Sequence, residues 1–195
     1  TTAAINVQGN YGRVNYDSFQ ASVNRRMANG LQYTVAYTFA KATDWWAGTI
    51  PQPEYRYLNK GDQANSNPHL FNASVIYQLP FGSGRKFLNN SGVMSRVAGG
   101  WQVNAFLTAR SGTPFTVTAS NASLNAGTGT NQKADQIKDT VDIYGFEKGA
   151  AYFDVTAFRP VTEVRFGTAG FNTLRGPSVA NLDLSLFRTF AIKRN

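Results

Sequence analysis

Between Tyr16 and Ala40 apolar and polar side chains alternate with a period of two. Phe19, Ala21, Val23 and Met27, then Leu31, Tyr33, Val35, Tyr37 and Phe39, fall on one parity. Ser18, Gln20, Ser22, Asn24 and Arg26, then Gln32, Thr34, Ala36, Thr38 and Ala40, fall on the other. Neighbouring side chains of a strand point to opposite faces, so the pattern predicts two strands, each with one apolar and one polar face. Asn29-Gly30 between them tolerates positive φ and marks a tight hairpin. At roughly 3.3 Å per residue and a tilt near 45°, the run 31–39 spans about 20 Å, close to the apolar band of a membrane barrel.

The alternation returns downstream. Phe71, Ala73, Val75, Tyr77 and Leu79 stand against Asn72, Ser74 and Gln78, with Ile76 an apolar exception on the polar parity. Trp101, Val103, Ala105, Leu107 and Ala109 stand against Gln102, Asn104, Thr108 and Arg110, in a strand extended here past Gly112 to Val117. Ala180, Leu182, Leu184 and Leu186 stand against Asn181, Asp183, Ser185 and Arg188. A mid-strand Asp183 suits a polar lumen and not a dry core. Strands are thus predicted near 4-8, 16-27, 31-40, 69-79, 101-117 and 180-192.

Two segments lack a period and carry breakers: the loops 41-68 and 119-177. The second opens in low complexity (ASNASLNAGTGTNQ), expected to be flexible, and has a strand-like stretch at 150–158. Short and long connections alternate by side. The Asn29-Gly30 turn and the 80–100 connection share one rim; the two long loops share the other, as in outer-membrane barrels. Tyr33, Tyr37, Phe39, Tyr77 and Trp101 fall near strand ends on the apolar parity, where an interfacial girdle would lie. The fold class expected is all-β: an antiparallel meander of about six strands, a segment of a transmembrane β-barrel with long loops on one rim.

Composition narrows the picture only a little. No window approaches eighteen consecutive apolar residues, so no transmembrane helix is expected; barrel strands hide from such a scan. The mean hydropathy of -0.31 suits a barrel or a soluble domain, and the absence of cysteine excludes a disulfide framework and thiolate metal sites. The net charge of +8 is spread over turns and the chain end (Arg25-Arg26, Arg85-Lys86, Lys193-Arg194), so nucleic acid is not an expected partner. Thr1 opens without a basic and apolar leader, which suggests processing or a place inside a longer polypeptide.

Four blocks, NYDSFQASVNRRMANGLQYTVAYTFAKATD, PHLFNASVIYQLPFGSGRKF, GGWQVNAFLTARSGTPFTV and FGTAGFNTLRGPSVANLDLSLFRTF, resemble the C-terminal barrel region of TonB-dependent outer-membrane receptors. They are most similar to the Oar-like branch, which carries an N-terminal carboxypeptidase-regulatory-like domain. The resemblance implies a 22-stranded barrel with a plug, importing a ligand with energy passed from the inner membrane through TonB. Its implied partners are outer-membrane lipid, the rest of the receptor (plug and further strands) and an imported ligand. Plug, TonB box and an aromatic-ended terminal strand are missing from this sequence, so a segment of a larger protein in the bacterial outer membrane is expected.

No catalytic constellation stands out: there is no HExxH, GxSxG or Walker-type loop, and GNYGR and GSGRK lack the strand–helix context for phosphate. His69 reads as a rim residue at a strand start. Asp44 and Glu54 are dispersed carboxylates in a loop rather than a glycosidase pair. No enzyme activity, cofactor or metal is expected. Trp45, Trp46, Tyr55, Arg56 and Tyr57 put flat rings and a guanidinium in one loop, a composition suited to stacking on sugars or peptides. Arg110 and Asp183 are expected to face the lumen, or to pair with each other or with neighbours. The alternative is a soluble, non-catalytic β-sandwich binding glycans or peptides, with Leu31, Val35, Val103 and Leu184 buried under a second sheet.

Overall fold

Asn29 and Gly30 turn the chain with φ of 53° and 80°, the positive pair that a two-residue hairpin needs to match strand twist. A computed structural model describes residues 12–46, 48, 50, 53–89, 92–124, 132–147 and 149–190. The hairpin joins β1 (Val14–Ala28) to β2 (Leu31–Asp44). A Cβ on Gly30 would lie 2.8 Å from the carbonyl oxygen of Gln78, and its φ already disfavours any side chain. Gly30→Ala is therefore expected to cost about 1 kcal/mol or more, read as a lower urea midpoint of the chain folded in lipid vesicles.

The remaining strands are β3 (Gly61–Asp62), β4 (His69–Gln78), β5 (Trp101–Arg110), β6 (Pro114–Phe115), β7 (Asp135–Gln136), β8 (Phe158–Arg159), β9 (Leu174–Arg175) and β10 (Val179–Arg188), with helix α1 at Val93–Ala98. The main sheet runs β1-β2-β4-β5-β10, and β3 pairs with β2; β6 pairs with β9 and β7 with β8. The chain divides into two compact units. One, the wall unit, draws on Ser18–Ala40, Pro68–Ser111 and the chain from Ser178; the loop unit draws on the segment to Asp17, Lys41–Asn67 and Gly112–Pro177.

In the wall unit register turns the sequence parity into a face. Val35 stands opposite Ala73, Ala73 opposite Leu107 and Leu107 opposite Leu182. The next row is Tyr33, Val75, Ala105 and Leu184. Aromatics flank these aliphatic rows, with Tyr37 and Phe71 toward the long-connection end, Tyr77 and Trp101 toward the other. Among the described residues the face has no second sheet over it within the wall unit: Leu184 is 66% exposed and Leu182 57%, while Leu31, Val35 and Val103 are half-buried. The burial expected of a sandwich is not found. Hydrophobic burial instead concentrates in small residues of the loop unit, such as Ala134, Ala157 and Ala169, with Ile50 and Phe171.

Three expectations change and one goes untested. The strand expected at 4-8 lies outside the described residues. The strand expected over 101-117 ends at Arg110: Gly112 packs so closely on Gly176 that a Cβ would lie 1.8 Å from its carbonyl oxygen, and Pro114 begins a separate pair with β9. Within the final stretch, 180-192, the strand is Val179–Arg188 and Arg188 belongs to the apolar parity, opposite Trp101. It tolerates that side because its guanidinium lies 5.3 Å from the Trp101 ring and 4.5 Å from that of Phe190. Nor is the segment 119-177 simply irregular, since β7, β8 and β9 lie within it. The polar face, for its part, carries Phe106 and Phe187 besides Ile76.

Candidate functional site

The loop unit is built from side chains that satisfy backbone groups. Asn59, fully buried, closes the loop 50–59: its Oδ1 accepts the Ile50 N–H and its Nδ2 donates to the Ile50 carbonyl, both at 2.9 Å. This clasp holds the short 3₁₀ helix Pro53–Asn59, which carries three of the five expected ligand residues. Arg56 and Tyr57 are exposed; Tyr55 is exposed in part, its ring edge-on to Phe166 at 5.2 Å. Trp46 is exposed too, its backbone N–H donating to Asp44 Oδ1 at 2.7 Å. Trp45 is half-buried beneath the Lys60 ammonium, 5.0 Å from its ring centroid.

The same unit holds a groove of about 520 Å³ lined by Arg13, Asn15, Asp17, Lys41, Thr43 and Lys60, the last of which is the cation over Trp45. A second hollow of about 380 Å³ shares Lys41, Thr43 and Lys60 and adds Gly61, Asp62, Phe171, Asn172 and Thr173. Three cations face two carboxylates, and one of those, Asp62, is already paired with Arg175. The groove is therefore electropositive. Sequence reasoning did not find it, because its residues come from three separated segments with no local pattern.

The floor of the unit is an ion-pair network. Arg165 grips Asp135 with two 2.7 Å bonds, and the Thr168 N–H donates to the same carboxylate. The Arg165 hydrogen bonds hold the Asp135 carboxyl down to about 2 against the opposing effect of burial. Gln132, also buried, donates to the Arg165 carbonyl at 2.7 Å and accepts from the Gly167 and Lys133 N–H groups. Lys133 is buried with its ammonium 4.9 Å from the Phe171 ring, and burial lowers its pKa. Lys138 donates to Asp154 at 2.6 Å; that bond raises the lysine pKa and lowers the carboxylate's. Arg175 donates to the Ser66 carbonyl, to that of Gly112 and to Asp62, so one guanidinium ties three segments of the unit.

The two expected lumen residues lie in the wall unit, on its polar face. Asp183 is opposite Phe106 and accepts from Asn181 at 2.8 Å; Arg110 is opposite Leu70 and Val179, four register positions away. They share a face but do not pair. His69 opens β4 with its ring 2.7 Å from the Tyr37 hydroxyl. Asp44 is spent on capping Trp46, and Glu54 stands on the exposed side of the 3₁₀ helix.

An antiparallel meander with one uncovered apolar face and flanking aromatics is what lipid requires of a strand wall. A family model for the outer membrane beta barrel domain matches residues 1–195. The chain belongs to this family. Neither the curated proteins nor the solved structures gave a significant match. As an outer membrane beta barrel domain, the chain is a protein of the bacterial outer membrane; in such barrels the apolar face of the strands is the one turned to hydrocarbon. Among the described residues the barrel sheet is open, with β1 and β10 at its edges. No helix among them is long and apolar enough to cross a membrane; the barrel domain crosses with strands.

Proposed function

We propose that this outer-membrane barrel domain is part of the wall of a TonB-dependent, ligand-importing receptor, and that its loop unit contributes to ligand capture. The observation that carries this is the loop unit itself. Loops this long inside an ordered domain are usually functional, and here their backbone is pinned by buried polar side chains rather than left loose. Such pinning orients Trp46, Arg56 and Tyr57 toward solvent, with an electropositive groove lined by Arg13, Lys41 and Lys60 in the same unit. Flat rings beside cations suit a polyhydroxylated or acidic ligand, an oligosaccharide or peptide, held by stacking and charge. In this reading the role is binding, not catalysis, and Arg110 and Asp183 line the path inside the barrel. Energy would come through TonB by way of a plug outside this sequence.

The test is a calorimetric titration of the chain in detergent with a panel of neutral and acidic oligosaccharides and short acidic peptides. At least one class should bind, and Trp46→Ala with Tyr57→Ala should weaken it about tenfold. A panel that includes binders unaffected by both substitutions would remove these residues from the site. No binding by any member would remove the capture role.

A further inference from the structure

At the short-turn end of the wall unit, α1 is inside out by the standard of a water-soluble helix. It buries Ser95 and leaves Val93 76% and Met94 70% exposed, with Val97 exposed beside them. At about 100° per residue, Val93, Val97 and Met94 fill a single arc and Ser95 lies opposite. Phe87 and Leu88, just upstream, and Phe190, at the end of β10, are exposed as well. Cations punctuate the patch: Arg96 on the helix flank, and Lys86 with its ammonium 5.4 Å from the Phe87 ring.

The side of the sheet on which the helix is seated can be read from its bonds. Trp101 shares the parity of Val103, Ala105 and Leu107, and its indole N–H donates to the Val97 carbonyl at 3.0 Å. Arg188, opposite Trp101 on the same face, donates to the Arg96 carbonyl. Both anchors belong to the hydrocarbon-facing side, so the apolar arc of α1 continues that surface beyond the ends of the strands. A tryptophan, a short amphipathic helix and flanking arginine or lysine are the composition of the membrane–water boundary.

We propose that α1 is a membrane-interface anchor. Val93, Met94 and Val97 insert among the acyl chains of the leaflet at this rim, while Arg96 and Lys86 reach the phosphates of anionic phospholipid headgroups. Short turns mark the periplasmic rim of such barrels, so the leaflet is the phospholipid inner one. The assignment does not depend on import or on any ligand.

The absence of cysteine makes the test direct. Met94→Cys, or Val93→Cys as a second site on the arc, carries an environment-sensitive fluorophore in the full chain folded into phosphatidylethanolamine–phosphatidylglycerol vesicles. Expected are a blue-shifted emission and quenching by spin-labelled lipid, stronger for a shallow than a deep label. Glu163→Cys, exposed in the loop unit, should report water. Arg96→Gln should lower the preference for quencher on phosphatidylglycerol over phosphatidylethanolamine about fivefold. Emission matching that of Glu163→Cys would overturn the anchor. So would a blue shift without lipid quenching, the sign of cover by protein such as a second copy of the chain.

Discussion

Leu182→Arg is expected to cost the lipid-embedded chain about 2 to 4 kcal/mol, the penalty of a cation near the middle of a bilayer. Leu182 stands in the central aliphatic row with Leu107, Ala73 and Val35. What makes the experiment decisive is its exposure of 57%, since the same change at an exposed site in water falls within about 0.5 kcal/mol. Only hydrocarbon against that face yields the larger number. Ser185→Arg, on the polar face opposite Asn104, is the matched control and should be nearly neutral. Urea unfolding in vesicles, with the midpoint shift converted through a common slope, measures both. Equal effects from the two substitutions would mean that the apolar rows do not meet acyl chains.

The second large effect is expected in the loop unit. Asp135, with 2% of its surface exposed, accepts from Arg165 and from the Thr168 N–H, and Arg159 lies 3.5 Å away. Asp135→Ala removes the buried carboxylate that these more exposed donors share, at about 2 kcal/mol for hydrogen bonds to a charged group. Cleavage of the 132–177 region by a nonspecific protease should then accelerate about thirtyfold where opening is rapid compared with cutting. The wall strands should keep their protection. Acid should act in the same direction: the folded pKa of about 2 lies below the ordinary 3.8, so the stabilisation is in full force above 3.8 and disappears as pH falls through 2. In Asp135→Ala that component of the acid response should be missing, and an unchanged acid profile would show that the pair does not hold the unit.

The wall was legible because a single rule wrote it. Alternation along each strand and a meander register place Val35, Ala73, Leu107 and Leu182 in one row without further information. The rule failed at Arg188, where a charged residue was expected among polar ones; an arginine between Trp101 and Phe190 obeys ring packing rather than alternation. It also missed Phe106 and Phe187, apolar on the polar face. The loop unit escaped for a different reason. Gln132 and Asp135 meet Arg165 some thirty positions away, and Arg175 meets Asp62 across more than a hundred, so no local period betrays the contacts. The aromatic candidates were visible from composition in Trp46 and Tyr57, but Trp45 turns under Lys60, which composition could not foretell. The groove of Arg13, Lys41 and Lys60 has no signature shorter than the fold itself.

At the stem of the longest excursion, Gly112 and Gly176 touch backbone to backbone, the Gly176 N–H bonds to the Thr113 carbonyl, and Pro114 and Phe115 pair with Arg175 and Leu174. The ends of the excursion are thus fastened independently of what lies between them. Lengthening a chain between fixed ends costs only about 0.6 kcal/mol per doubling. Insertions between 116 and 173 that spare the Asp135–Arg165 network should therefore be inherited cheaply, letting descendants of one scaffold diverge in what they recognise while the knot at the stem is kept.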